Sequence, residues 1–149
     1  MLQTPRRRAE SMSEDQGKEP SHSGGCLCGA TRYEIRGALR PVVNCHCGQC
    51  RRWHGHFAAY SAVGKEGLTF TEDRGLAWHR SSDKAKRGFC RDCGSSLFWA
   101  PDQKPYVAVA AGTLDAPTGL ETLRHIHAAD KGDYYELSDG LEQLPKGMG

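Results

Sequence analysis

Two short segments of this 149-residue chain decide its fold: residues 24–35 read GGCLCGATRYEI, and residues 88–99 read GFCRDCGSSLFW. Each contains two closely spaced cysteines followed by a glycine. Glycine adopts the positive φ that a tight turn requires, so backbone N–H groups can point at thiolate sulfur. Two such turns commonly assemble a tetrahedral four-cysteine zinc site. We therefore predict one structural Zn²⁺ bound by Cys26, Cys28, Cys90 and Cys93. The alternative is that these four residues are buried free thiols.

A third cysteine cluster lies between these segments, where residues 45–57 read CHCGQCRRWHGHF. Cys45, Cys47 and Cys50 can wrap three sulfur ligands around a second Zn²⁺, and three ligands leave one tetrahedral position open, as in catalytic zinc sites. A site with three thiolates favours a soft incoming ligand such as another thiolate. We therefore predict that these three cysteines form a catalytic centre that binds a thiol.

The histidines of this segment leave an alternative open. His46, His54 or His56 could supply a fourth ligand and close the centre as a structural site with three cysteines and one histidine. A two-iron cluster is a further alternative for the same cysteines.

Basic residues directly follow the third cluster. Arg51 and Arg52 could bind the carboxylates of a substrate, because a guanidinium pairs with a carboxylate through two parallel hydrogen bonds. His54 or His56 could act as a general acid beside the metal. We therefore add Arg51 and His54 to the candidate catalytic residues, and Arg51 and Arg52 to the candidate cosubstrate-binding residues.

Composition excludes several classes of protein. The seven cysteines are an odd number, which argues against a disulfide scaffold, and no segment approaches the ~18 consecutive apolar residues of a membrane span. The N-terminal residues have no apolar stretch typical of a secretory signal, so we expect a cytoplasmic protein without a membrane partner. The net charge is +2, and the basic residues are dispersed among acidic ones, so we expect no nucleic-acid partner.

The chain is predicted to form one mostly β domain. Residues 1–22 are polar and are expected to be a disordered tail, residues 23–145 the domain, and residues 146–149 its C-terminal end. Helical turns are expected only in residues 48–53. About eight short strands are expected, in runs that include residues 30–35, 57–63, 68–70, 76–80, 95–99, 106–111 and 123–127.

The three cysteine segments together resemble the glutathione-dependent formaldehyde-activating family, also called the centromere-protein-V/GFA domain, over residues 23–145. Members of that family resemble Mss4 in fold, which implies a zinc-stapled domain of short antiparallel strands. The resemblance implies two Zn²⁺ per chain, the second exchangeable and held by Cys45, Cys47 and Cys50. The family's named activity is the condensation of formaldehyde with glutathione to S-hydroxymethylglutathione, formally a carbon–sulfur lyase reaction.

Three functions follow from these patterns. The first is an enzyme that condenses a small thiol, with glutathione as the expected cosubstrate, with formaldehyde or another small aldehyde. The second is a non-catalytic glutathione- or zinc-binding module that uses the same cysteines. A zinc module for nucleic-acid or protein interaction is the third, and the absence of basic runs interleaved with aromatic residues disfavours it.

Overall fold

The computed structural model describes residues 20–148, which form eleven strands and one α-helix. The predicted tail at residues 1–22 lies almost entirely outside the described residues, and β1 begins at its last residue, His22. The helix α1 spans Gly48–His54. The strands are β1 His22–Gly25, β2 Arg32–Ile35, β3 Val42–Cys45, β4 Ala58–Gly64, β5 Leu68–Glu72, β6 Leu76–Arg80, β7 Ala85–Cys90, β8 Ser96–Pro101, β9 Tyr106–Ala110, β10 Thr122–Ile126 and β11 Glu142–Gln143.

These strands form two sheets. One has three strands in the order β1-β2-β5, and the other has eight in the order β11-β10-β3-β4-β9-β8-β7-β6. Neighbouring strands are antiparallel except β10, which pairs in parallel with both β3 and β11. The mostly β class and the predominance of antiparallel strands confirm the fold class predicted from the sequence.

The predicted number of strands, about eight, is too low for residues 20–148. β1, β3, β7 and β11 have no counterpart among the predicted runs. β1 contains two glycines, and β11 has only two residues. β7 reads AKRGFC, in which two adjacent basic residues interrupt the alternation of apolar and polar residues typical of a strand. Because β propensity depends on cross-strand packing more than on the residue itself, such strands are difficult to recognise locally.

The core lies between the small sheet and the middle of the large one. Tyr33 and Ile35 of β2 pack there with Leu97 and Phe98 of β8, and each of the four is at most 1% exposed. The ring of Phe98 contacts that of Tyr33 edge-on, with centroids 5.2 Å apart. This core fixes the ends of β2 and β8. It therefore also fixes the two turns that precede these strands and carry Cys26, Cys28, Cys90 and Cys93.

The helix α1 follows β3 directly, as the turns predicted at residues 48–53 indicated. Cys47 is its N-cap, and its C-cap Gly55 has φ +81° and donates its N–H to the carbonyl of Arg51. Cys45 and Cys50 pack against Tyr60, Ala108 and other residues of β4 and β9 in a second apolar cluster. Within residues 20–148, no helix has the length and apolarity needed to cross a lipid bilayer.

Candidate metal centres

The structure brings Cys26, Cys28, Cys90 and Cys93 together in one group whose sulfur atoms all lie within 4.8 Å of one another. The Sγ of Cys28 lies 3.7 Å from the Sγ of both Cys26 and Cys90. A tetrahedron with Zn–S bonds of about 2.3 Å has edges of about 3.8 Å. The sulfur positions therefore fit one tetrahedral metal ion of the size of Zn²⁺.

Hydrogen bonds around this cluster fix its two turns relative to each other. The backbone N–H of Thr31 donates to Cys26 Sγ at 3.3 Å. The Ser95 hydroxyl lies 3.2 Å from Cys93 Sγ and accepts the N–H of Leu27 from the opposite turn at 3.0 Å. The Ser95 contact lowers the pKa of the Cys93 thiol to about 5. Cys93 thus favours the thiolate form that a metal requires.

Cys45, Cys47 and Cys50 form a second group, again with all sulfur atoms within 4.8 Å. Cys45 ends β3, Cys47 caps α1, and Cys50 lies in the first turn of the helix, where its N–H donates to Cys47 Sγ at 3.3 Å. Hydrogen bonds from Cys45 and Cys50 hold the pKa of the Cys47 thiol far below its usual range. A set of three cysteine sulfurs within reach of one ion suits Zn²⁺.

Among residues 20–148, no histidine joins this second group. Both ring nitrogens of His46 have other partners, the Tyr135 hydroxyl at 2.6 Å and His125 Nδ1 at 2.9 Å. His54 contacts Tyr60, and His56 contacts the hydroxyl of Tyr134. The alternative site with three cysteines and one histidine is therefore not formed, and the group offers three sulfur ligands.

His46 belongs to a hydrogen-bonded chain that runs from the cysteine loop toward the surface. The ring is fully buried, and burial, reinforced by His125, lowers its pKa to about 4. His125 continues the chain to the Asp139 carboxylate at 2.8 Å. Because His46 lies between two of the cysteines, this chain anchors the loop that positions them.

A cavity of about 320 Å³ opens onto the three-cysteine group. Its volume lies at the lower end of the ~300–1,000 Å³ typical of small-molecule sites. Its wall includes the basic residues Arg40, Arg87 and His127, and no aspartate or glutamate of residues 20–148 lines it. The cavity therefore favours a small ligand that carries negative charge.

The predicted general acid, His54, does not line this cavity but lies behind Tyr60, which does. His54 Nε2 contacts the Tyr60 hydroxyl at 3.0 Å, and Arg87 donates to the same hydroxyl at 3.4 Å. Burial, together with the charge of Arg87, lowers the pKa of His54 to about 4. Burial also raises the pKa of Tyr60 to about 12, so both groups are neutral near pH 7.

The structure places Arg51 and Arg52 outside the cavity wall. Arg51 is half-buried on α1, and Arg52 is exposed. Arg87 of β7 occupies the position beside the cysteines that we predicted for them, with Nη2 3.6 Å from Cys50 Sγ. Arg87 was not among the residues predicted for the site. The sequence indicates its burial only weakly, because Arg87 lies two residues after the buried Ala85 and therefore on the same face of β7.

Comparisons with known proteins identify the family of this chain. The family model described as "Glutathione-dependent formaldehyde-activating enzyme" matches residues 21–130. A Schizosaccharomyces pombe protein named an uncharacterized lyase is 34% identical over 123 residues, which cover 80% of this chain and 88% of that protein. The crystal structure of a Rhodobacter sphaeroides protein has the same fold, with a TM-score of 0.56 and 23% identity over 67% of this chain and 97% of that one. The chain therefore belongs to the glutathione-dependent formaldehyde-activating enzyme family.

Proposed function

We propose that this protein is a carbon–sulfur lyase that joins a carboxylate-bearing thiol to formaldehyde or another small aldehyde. Glutathione is the expected thiol cosubstrate. The observation that carries the proposal is the three-cysteine group at the base of a cavity with basic walls. The family description and the lyase name of the fission-yeast relative support the same reaction class.

In this proposal Cys26, Cys28, Cys90 and Cys93 hold a structural Zn²⁺, and Cys45, Cys47 and Cys50 hold the second one. When bound there, Zn²⁺ supplies a Lewis acid with one free position, at which a thiol loses its proton near neutral pH. The four-cysteine cluster has no free position, so its role is to stabilise the fold.

The reaction joins the thiol sulfur to the aldehyde carbon. A carbon–sulfur bond forms as the π electrons of the carbonyl move to its oxygen, and that oxygen takes up a proton. The cavity holds the two reactants close together, which is the largest contribution we expect, because the uncatalysed reaction is already easy. The reverse reaction breaks the same bond and releases the thiol and the aldehyde.

We assign proton donation to the Tyr60 hydroxyl, which lines the cavity. Its raised pKa keeps the proton on the oxygen near pH 7, and His54 contacts that oxygen from behind. His54 then acts through Tyr60 rather than directly on the substrate. This retains the predicted participation of His54 while changing the group that meets the new alkoxide.

The carboxylates of glutathione need hydrogen-bond donors, and the cavity wall offers Arg40 and His127. Arg40 is partly buried and donates Nη2–H to the carbonyl of Tyr60 at 2.8 Å, which holds its side chain at the wall. Arg51 and Arg52 remain candidates for a part of the cosubstrate that extends beyond the cavity.

The test is exchange-spectroscopy NMR of formaldehyde with glutathione, without protein, with wild type, and with Cys47→Ala at equal zinc. We expect faster exchange with wild type and the uncatalysed rate with Cys47→Ala. An equal rate in all three samples would contradict the enzyme. Saturable glutathione binding without acceleration would instead indicate the non-catalytic binding module.

A further inference from the structure

Arg87 is a buried cation without a carboxylate partner. The residue is 2% exposed and lines the cavity above the three-cysteine group. No ion pair within residues 20–148 includes it. A buried guanidinium is costly unless an opposite charge lies close to it. Its counter-charge must therefore come from some other group in contact with it.

The partners of Arg87 identify that group. Its Nη2 donates to Gln49 Oε1 at 2.9 Å, and its Nη1 donates to the Tyr60 hydroxyl at 3.4 Å; both acceptors are neutral. The guanidinium carbon lies 6.0 Å from the centroid of the Trp53 ring, which carries no net charge. The remaining hydrogen-bond contact is the one from Nη2 to Cys50 Sγ, at 3.6 Å. The thiolate group is thus the negative charge that this arginine faces.

The contact with Arg87 neutralises the net charge of the three-cysteine centre when zinc is bound. Three thiolates and Zn²⁺ carry a net charge of −1, which Arg87 brings to zero. Binding a thiolate then leaves the centre and Arg87 together at −1, whereas the centre without Arg87 would reach −2. Binding a neutral ligand leaves the charge of the centre unchanged. The benefit of Arg87 is therefore specific to anionic ligands, and at low effective dielectric it is large.

We propose that Arg87 is the counterion of the three-cysteine centre and sets the preference of its open position for an anionic sulfur ligand over a neutral one. This rests on the part of the proposed function that leaves that position open to a thiol. It concerns binding alone, so it does not depend on which aldehyde reacts.

The experiment uses the protein loaded with Co²⁺, whose absorption spectrum reports a change of ligand. It is titrated separately with 2-mercaptoethanol, which binds as a thiolate and has no carboxylate, and with imidazole, which binds neutral. In Arg87→Gln we expect 2-mercaptoethanol to bind about ten- to hundredfold more weakly than in wild type. Imidazole affinity should change by less than about twofold, and Arg87→Lys should recover most of the thiol affinity because it keeps the charge.

A second variant addresses the same charge without removing a buried side chain. Gln49 is exposed on α1 and accepts from Arg87, so Gln49→Glu places a carboxylate against the guanidinium. This variant should also weaken 2-mercaptoethanol selectively. The matched control is Lys86→Gln. Lys86 lies next to Arg87 in β7 but outside the cavity, with its ammonium over the Trp78 ring. The Lys86→Gln variant should bind both ligands as wild type does.

The outcomes separate this inference from the proposed function. Equal weakening of both ligands in Arg87→Gln, or no change in either, would overturn the counterion role while leaving the open position intact. A wild-type spectrum that responds to neither ligand would overturn both proposals. Selective loss of thiol affinity would support Arg87 even if the condensation were not accelerated.

Discussion

Replacement of Cys93 by serine should destabilise the domain through the loss of a metal ligand. The side chain is only partly buried, so the substitution itself creates little cavity. The four-cysteine cluster connects Cys28 to Cys90, which are 62 residues apart. Zinc that binds only the folded chain stabilises it by RT ln(1 + [Zn²⁺]/Kd), which is about 4 kcal/mol when free zinc is about 1,000 times the Kd. For a domain of this size, that corresponds to a fall in Tm of roughly 10–20 °C.

The assay is thermal unfolding followed by circular dichroism, with free zinc buffered at a fixed level and then with excess chelator. Wild type should lose most of this stability when the chelator is added. The Cys93→Ser variant should have a low Tm before the chelator is added, and its Tm should fall less when the chelator is added. The control is Cys47→Ser, which leaves the four-cysteine cluster complete and should lose much less stability than Cys93→Ser.

One result would exclude a structural metal ion at the four-cysteine cluster. If Cys93→Ser unfolded within about 3 °C of wild type and lost as much stability on chelation, the cluster would not be a structural staple. The four sulfur atoms would then be close neighbours without a shared metal.

Three further substitutions test the packing and the pKa shifts. Phe98→Ala should lower the free energy of unfolding by about 3–5 kcal/mol in urea titrations, because this fully buried ring joins the two sheets. Gly55→Ala should cost about 1 kcal/mol in the same assay, since its φ of +81° strains any residue with a Cβ. His54 has a folded pKa of about 4, below its unfolded value of 6.5, so only the unfolded chain gains a proton between those pH values. Wild type should therefore lose about 1–2 kcal/mol more than His54→Gln on acidification from pH 7 to pH 4, allowing for the partial exposure of the ring; parallel pH profiles of stability would contradict the shift.

The cysteine clusters could be read from the sequence because their spacing is local. Cys45, Cys47 and Cys50 lie within one loop and one helical turn, and each pair of the other cluster occupies a single turn. The glycines that follow these pairs mark the same turns: Gly29 and Gly94 both have positive φ. Short-range geometry of this kind leaves few alternatives.

The walls of the cavity could not be read in the same way, because they depend on pairing between distant strands. Arg87 meets Cys50 only because β7 lies in the same sheet as β3 and β4. Tyr60 faces the cavity through the register of β4, and the parallel pairing of β10 brings Ile126 opposite Cys45. A charged residue in a strand also reads locally as a surface residue, whereas Arg51 and Arg52 were selected because they directly follow the third cysteine cluster in the sequence.

His46 illustrates the same limit at shorter range. It was one of the histidines considered as a fourth ligand, although its position in the loop between two cysteines could turn it away from the metal. The parallel pairing of β3 with β10 instead places His125 within reach of its ring. Tyr135 then occupies the other ring nitrogen. A ligand and a loop anchor have the same sequence pattern here, and only the distant partners distinguish them.

The most direct test of the central claim, that one metal centre is closed and the other open to a thiol, is native mass spectrometry of the zinc-loaded protein with and without glutathione. We expect two zinc ions per wild-type chain and one bound glutathione. We expect one zinc ion and no glutathione for Cys47→Ala. Glutathione bound equally by both proteins, or two zinc ions retained by Cys47→Ala, would contradict the assignment of the open centre to Cys45, Cys47 and Cys50.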